Sequence, residues 1–450
     1  MQKRVVILGS GESGAGAAIL AQQKGFDVFV SDKGQIPNRY KHILQQHQIP
    51  FEEGKHSMDS ILAADEIIKS PGVQEKFPVM KEIRAAGKNV IGEIEFAFRY
   101  CTGKVIAITG SNGKSTCTSL TFHMMKKAGC DVEIGGNIGK SFAELVAHTA
   151  HEYYVLEVSN FQLDDCVTFK PYISVLLNIT PDHLDSYEYQ FGRYVDSKFR
   201  ITMNQAAGDY FIYCADDSVI RAEMERRHTP FLSNTANLLT FTLDDRQHEG
   251  AWVADNSIHV QIKQNHFHMT INELALQGKH NQYNSMAAGI VGKVLGLKNE
   301  SIRESFADFS GLEHRLEFVA KVHGISFIND SKATNINSTW YALESQTEPV
   351  IWIVGGIDKG NDYALITDLV KKKVKAIVCL GKDNTRIHEA FGKLVDILVN
   401  TENMQDCVQM AYRLGKNGDV VLLSPACASF DLFENFEDRG NQFKQQVRKL

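Results

Sequence analysis

Val105-Ile106-Ala107-Ile108-Thr109-Gly110-Ser111-Asn112-Gly113-Lys114-Ser115-Thr116 is a β-branched run entering a glycine turn, then Gly-Lys-Ser, then a helix-like stretch from Thr118 to Ala128. Strand, glycine turn and helix in that order predict a phosphate cradle, because turn N–H groups and a helix N-terminus converge on anionic oxygens. In such a cradle Lys114 reaches the β- and γ-phosphates of a nucleoside triphosphate, and the Ser115 hydroxyl faces Mg²⁺. The usual phosphate-loop pattern has a glycine where this chain has Ile108, so T-G-x-N-G-K-S-T is a narrower variant.

Working outward, the chain is too long for one ordinary core: 450 residues predict two or three domains. With 23% charged and 43% hydrophobic residues, the composition is that of a soluble globular protein. A formal net charge of -6 argues against a general nucleic-acid or membrane-surface binder. The eight cysteines form no C-x-x-C pair, so neither a zinc ribbon nor a disulfide framework is indicated. No apolar run approaches the roughly 20 residues of a membrane helix. The N-terminal apolar run meets Gly9 too early for a signal-peptide core. A cytoplasmic protein is expected, acting on small molecules as a monomer.

Before the cradle, a strand from Lys3 to Leu8 leads into Gly9-Ser10-Gly11-Glu12-Ser13-Gly14, then a helix from Ala15 to Lys24 and a strand from Asp27 to Ser31 ending at Asp32. This is a full dinucleotide fingerprint with its acid. A glycine turn at a helix N-terminus suits any diphosphate, so NAD and a nucleotide-sugar diphosphate both fit. Ser70-Pro71-Gly72, after the strand-like Glu66-Ile67-Ile68, is either a ligand-facing loop or an ordinary turn.

Beyond the cradle, Gly135-Gly136-Asn137-Ile138-Gly139 reads as a substrate-facing loop. The strand Tyr153 to Ser159 carries Glu157 near its end, where a carboxylate holds Mg²⁺ in a phosphate-cradle protein. His183 suits a ligand or a satisfied turn histidine equally. Lys198, in a helix over 194–200, reads locally as a surface lysine. Asn281 and Asn284 share a helical face, where their amides either read a base or cap the helix.

After Gly311, strands at Ile325 to Ile328, Val350 to Val354, Val374 to Leu380, Asp396 to Val399 and Val420 to Leu423 alternate with helices, which predicts a doubly wound parallel sheet. Three polar clusters follow strands: 329–335, 355–360 and 424–431. Lys332, Thr334, Lys359 and Ser429 there are donors suited to carboxylates.

The cradle motif Thr109 to Thr116, Glu157, the His183 segment, His280-Asn281-x-x-Asn284 and Gly311-Leu312-Glu313-His314-Arg315 occur in the order of the Mur ligase superfamily, which the chain resembles over essentially its whole length. The stretches Asn329-Asp330-Ser331-Lys332-Ala333-Thr334-Asn335 and Ser424-Pro425-Ala426-Cys427-Ala428-Ser429 resemble the branch that adds D-glutamate. The resemblance implies three α/β domains: a Rossmann-like UDP-binding domain over 1–98, an ATP-binding domain of the phosphate-loop type over 99–309 and a Rossmann-like D-glutamate-binding domain over 310–450. It implies an ATP-dependent ligase that joins D-glutamate to UDP-N-acetylmuramoyl-L-alanine through an acyl phosphate, in peptidoglycan precursor synthesis.

By the same resemblance, Ser10, Gly11, Glu12, Ser13, Gly14, Ser31, Asp32, Ser70, Pro71, Gly72 and Asn137 would bind the UDP substrate, which removes NAD. Gly110, Ser111, Asn112, Gly113, Lys114, Ser115, Thr116, Asn281, Asn284, Arg315, Asp330 and Lys332 would bind ATP. Two Mg²⁺ ions would be held by Ser115, Glu157, His183 and Lys198, the last as a carbamate, so the resemblance overturns the surface-lysine reading. Lys114, His183 and Lys198 would be catalytic. Phe161 would contact substrate or nucleotide, and Thr334, Lys359, Ser429 and Phe436 would hold D-glutamate. Asn160 stands where the family often has serine, and its role is open.

Overall fold

A computed structural model describes residues 2–227, 236–244, 249–311 and 313–450. Leu312 of the Gly311 to Arg315 motif lies outside the described residues. The chain forms two compact units, Met1–Phe309 and Ser310–Leu450.

The first unit contains two sheets. β1 (Arg4–Leu8), β2 (Asp27–Asp32), β3 (Phe51–Glu53), β4 (Glu66–Lys69) and β5 (Val90–Gly92) pair in parallel in the order β3-β2-β1-β4-β5. The chain reverses direction across the sheet at β1, so the glycine turn after Leu8 sits at a topological switch point, where such sheets bind ligands. The helix after it spans Glu12–Gln23, three residues earlier than its apolar pattern begins. A Cβ on Gly14 would lie 1.9 Å from the Gly9 carbonyl oxygen, so the tight turn demands glycine there.

The second sheet comprises β6 (Lys104–Thr109), β7 (Val132–Gly136), β8 (Tyr153–Glu157), β9 (Ile173–Leu176), β10 (Tyr210–Cys214), β11 (Asn237–Phe241), β12 (Gly250–Ala254), β13 (Ser257–Ile262) and β14 (Asn265–Thr270). Its order is β14-β13-β12-β11-β10-β9-β6-β8-β7. β13 is antiparallel to both of its neighbours, so β13 and β14 extend the otherwise parallel sheet as a hairpin. β6 lies between β8 and β9, with Ile108 opposite Glu157 and Thr109 opposite Leu176.

These two sheets share apolar packing, which is why they form one unit: Val5, Ile7 and Val30 of the first cluster with Val105, Ala107 and Leu156 of the second. Glu93 is buried at this junction, where its Oε1 accepts the Ala143 N–H at 2.5 Å. Burial pushes its carboxyl up to about 8 from 4.5. Between those values the folded chain holds a proton that the unfolded chain has released, so this group's contribution to stability falls as pH rises through that window. Glu93→Gln, which keeps an acceptor but cannot titrate, is expected to flatten the loss of thermal midpoint between about pH 5 and about pH 8. Thermal melts across that range check it, and an undiminished slope refutes it.

The second unit is one sheet: β15 (Glu317–Val322), β16 (Ile325–Asn329), β17 (Val350–Val354), β18 (Val374–Leu380), β19 (Leu398–Thr401) and β20 (Val420–Leu423), in the order β15-β16-β20-β17-β18-β19. Five strands are parallel, and β15 is an antiparallel edge strand absent from the sequence expectation. Among the described residues, no helix is long and apolar enough to cross a membrane.

Candidate functional site

The cradle is built from the carboxyl end of β6. The helix that follows spans Lys114–Lys127 and begins four residues before its apolar pattern does. Its N-cap is Gly113 at φ +82°, with no side-chain cap, so the first-turn N–H groups face outward as anion donors. A Cβ on Gly113 would come within 2.7 Å of Asn284 Oδ1, so left-handed backbone and close approach both require glycine.

Ser111 and Asn112 spend their groups on the loop itself. The Ser111 N–H donates to the Asn178 carbonyl at 2.9 Å, and its hydroxyl donates to the Thr180 carbonyl at 2.9 Å. That hydroxyl also lies 2.8 Å from the Tyr194 hydroxyl. The Asn112 N–H donates to Asn178 Oδ1 at 2.8 Å. The structure thus places these two residues as struts between the cradle and the segment after β9. Lys114 folds back, its Nζ donating to the Gly110 and Ser111 carbonyls, each at 2.8 Å. Ser115 and Thr116 are buried on the first turn. Asn281 and Asn284, on the helix Lys279–Val294, are buried and bonded to each other, Asn284 Nδ2 donating to Asn281 Oδ1 at 3.2 Å.

Glu157 ends β8 beside the cradle strand and is 2% exposed. Its Oε1 accepts from Asn137 Nδ2 at 2.8 Å, and its Oε2 is buried without a hydrogen-bond partner. A buried carboxylate oxygen left without a partner is costly, and a cation satisfies it. Among the described residues no three His, Cys, Asp or Glu side chains converge as a metal centre. Mg²⁺ takes one or two carboxylates together with substrate phosphates, and the unpartnered Glu157 oxygen beside the cradle is such a carboxylate. The residues present therefore fit the ion.

Lys198 corrects the local reading most sharply: on the helix Phe191–Phe199 it is 1% exposed. Its Nζ stands 4.9 Å from the centre of the Tyr194 ring. Burial, and then the charge of Lys114, hold its amine well below the usual lysine range. His183 lies at the start of the 3₁₀ turn Leu184–Tyr187, with its ring edge-on to Phe161 at 5.3 Å.

At the carboxyl end of the first sheet is a cavity of about 670 Å³. Of the residues expected on the UDP substrate, Ser10 to Ser13, Asp32 and Ser70 to Gly72 line it. Ser31 lies beneath, its hydroxyl donating to Glu52 Oε1 at 2.7 Å, and Gly14 packs on the turn. Asn137 is not in this cavity but on Glu157. Lys33, Lys55, His56 and Phe77 line it too, although no motif marks them. Asp32 accepts the Ser10 N–H at 2.7 Å and hydroxyl at 2.8 Å, which holds the glycine turn against β2.

In the second unit, the three polar clusters meet at the carboxyl edge of the sheet. Arg439 is buried among them, donating to the Ser331 hydroxyl at 2.9 Å and carbonyl at 2.8 Å and to the Cys427 carbonyl at 3.2 Å. Lys332 Nζ stands 5.3 Å from the centre of the Phe436 ring. Asp330 is buried, accepts the Ser424 hydroxyl at 2.9 Å, and is pushed up to about 7 by burial. Arg315 Nε is buried without a partner. Ser429 is buried, Thr334 is half-buried, and Lys359 is exposed on its loop.

Three family profiles match successive stretches of the chain: the Mur ligase MurD-like N-terminal domain over residues 3–92, the Mur ligase middle domain over 108–292 and the Mur ligase glutamate ligase domain over 314–427. The UDP-N-acetylmuramoylalanine–D-glutamate ligase of Christiangramia forsetii is 52% identical over 450 residues, covering 100% of both chains. The enzyme of that name from Bacteroides fragilis is 50% identical over 449 residues, again 100% of both. That of Salinibacter ruber is 39% identical, covering 99% of this chain and 98% of its own. Among solved structures, UDP-N-acetylmuramate-alanine ligase MurC of Thermotoga maritima superposes with TM-score 0.63 at 17% identity, covering 99% of each chain. A pseudomurein peptide ligase type C of Methanothermus fervidus gives 0.62 at 19%, covering 100% of each. At such identities the structures speak for the three-domain α/β fold, and the sequence relatives for the family. The chain belongs to the Mur ligase family, in its MurD-like branch.

Proposed function

We propose that the protein joins D-glutamate to UDP-N-acetylmuramoyl-L-alanine at the expense of ATP, as a cytoplasmic step of peptidoglycan precursor synthesis. The observation that carries this reading is the meeting, at the ends of β6 and β8, of an uncapped helix N-terminus, Lys114 and the unpartnered Glu157 oxygen. The names of the full-length relatives supply the substrates.

The terminal carboxylate of the UDP-linked substrate attacks the γ-phosphorus of ATP, forming an acyl phosphate and releasing ADP. The amine of D-glutamate then attacks the acyl carbon, loses a proton, and the tetrahedral intermediate collapses to amide and phosphate. Lys114 neutralises charge on the transferred phosphoryl oxygens in the first step. Ser115, Glu157, His183 and carbamoylated Lys198 would hold Mg²⁺, which when bound supplies further charge neutralisation. Asn281, Asn284, Arg315, Asp330 and Lys332 are assigned to ATP, and Thr334, Lys359, Ser429 and Phe436 to D-glutamate.

The test is phosphate release from ATP with UDP-N-acetylmuramoyl-L-alanine, with and without D-glutamate, and with other amino acids in its place. Turnover that requires both named substrates supports the reading, and turnover with a different amino acid replaces it. Within the site, Lys359→Ala is expected to raise KM for D-glutamate by about tenfold or more, with KM for ATP little changed, as for a lost charge-assisted carboxylate contact. Equal changes in both constants refute that assignment.

A further inference from the structure

The turn that carries His183 is strained, and one side chain pins it. His183, Glu188 and Tyr189 have φ of +52°, +54° and +57°, a left-handed backbone that non-glycine residues adopt at a cost. Of the turn Leu184–Tyr187 between them, Tyr187 alone is buried. Its hydroxyl accepts from Asn160 Nδ2 at 2.7 Å and donates to Asp164 Oδ2 at 2.6 Å. Ser197 Oγ lies 3.1 Å from the same hydroxyl and donates to the Asn160 carbonyl at 3.1 Å. Ser197 immediately precedes Lys198, and Asn160 lies three residues beyond Glu157.

The rings repeat this connection. The Tyr187 ring stacks on Phe161 at 6.2 Å and 13°, and meets Tyr194 edge-on at 5.7 Å and 74°. Phe161 in turn touches the His183 ring, and Tyr194 lies under the Lys198 amine. His183 and Lys198 thus stand at the two ends of one row of rings, with Tyr187 in the middle.

We propose that Tyr187, held by Asn160, is the positioning residue that sets the separation of His183 and Lys198. This rests on the reading of those two residues as Mg²⁺ ligands. A small, rigid cation demands near-ideal octahedral placement of its ligands, so the bonds that orient them govern affinity. Asn160 thereby gains the role that its sequence left open.

The test uses the full chain with Mn²⁺ as probe and a non-hydrolysable ATP analogue, read by electron paramagnetic resonance, alongside kcat and the thermal midpoint. Tyr187→Phe keeps the ring stack and removes the hydroxyl. It is expected to weaken Mn²⁺ binding and lower kcat by about tenfold or more, with KM for D-glutamate unchanged. Asn160→Leu, which keeps the shape without the amide, is expected to act in the same direction. Unchanged Mn²⁺ binding in Tyr187→Phe overturns the proposal, as does an effect confined to the thermal midpoint. His183→Ala separates the two readings. If it loses Mn²⁺ while Tyr187→Phe keeps it, the positioning role alone fails. If it binds Mn²⁺ normally, the metal-site reading fails and the proposal with it.

Discussion

Lys114→Ala should lose at least about 10² in kcat, the cost expected when electrostatic stabilisation of phosphoryl transfer is removed. Lys114 sits on the first turn of an uncapped helix, where its charge adds to that of the outward N–H groups. Its Nζ spans the Gly110 and Ser111 carbonyls, so it is already inside the cradle rather than over it. The same bonds mean that alanine also loosens the loop, and Lys114→Met separates the two effects by keeping the bulk of the stem without the charge. Both variants should lose kcat by similar factors, with KM for D-glutamate little changed, because the amine arrives after the phosphoryl group has moved. Steady-state phosphate release measures this, and an unchanged turnover removes the cradle assignment.

The features legible in the sequence were those in which backbone geometry dictates residue type. Gly14 and Gly113 must be glycines because a side chain would strike Gly9 or Asn284, and this is what makes the two turns visible as motifs. In the second unit β17, β18 and β20 keep their expected bounds because they are buried along nearly their whole length, whereas the strand expected at Asp396 to Val399 is the less buried β19, Leu398–Thr401. β15 escaped detection because it has no buried face to pattern, and its Phe318 is 61% exposed. The cradle helix begins before its apolar pattern because its first turn buries Ser115 and Thr116, with Cys117 as its one apolar core residue.

Lys198 carries no local signal at all: its burial comes from Tyr194, four residues before it, and from the packing of a helix whose neighbours are set by the fold. The resemblance alone pointed to it. Lys55, His56 and Phe77 reach the first cavity from turns far apart in the chain, and such convergence exists only in three dimensions. The joining of the first two sheets into one compact unit was hidden for the same reason, since apolar residues on each sheet look alike whether they face their own helices or another domain.

Lys198→Ala carries the second large expected effect, a loss of roughly 10² or more in kcat, comparable to misplacing a reacting group by about 1 Å. Carbamate formation requires a neutral amine, because the nitrogen lone pair attacks carbon dioxide and the amine then gives up a proton. Burial and the neighbouring charge of Lys114 depress the Lys198 amine, so the neutral form persists to lower pH than for an exposed lysine. Once carbamoylated, the side chain bears a negative charge, and its repulsion from Lys114 becomes attraction. The alanine variant leaves a space that a small carboxylate can enter, so acetate or formate should restore part of the activity. In the parent protein, removal of dissolved carbon dioxide should lower turnover, and bicarbonate should restore it. Labelled bicarbonate should give a carbamate carbon resonance in the parent that is missing from Lys198→Ala. A fully active alanine variant, or a parent with no such resonance, refutes the carbamate while leaving the cradle intact.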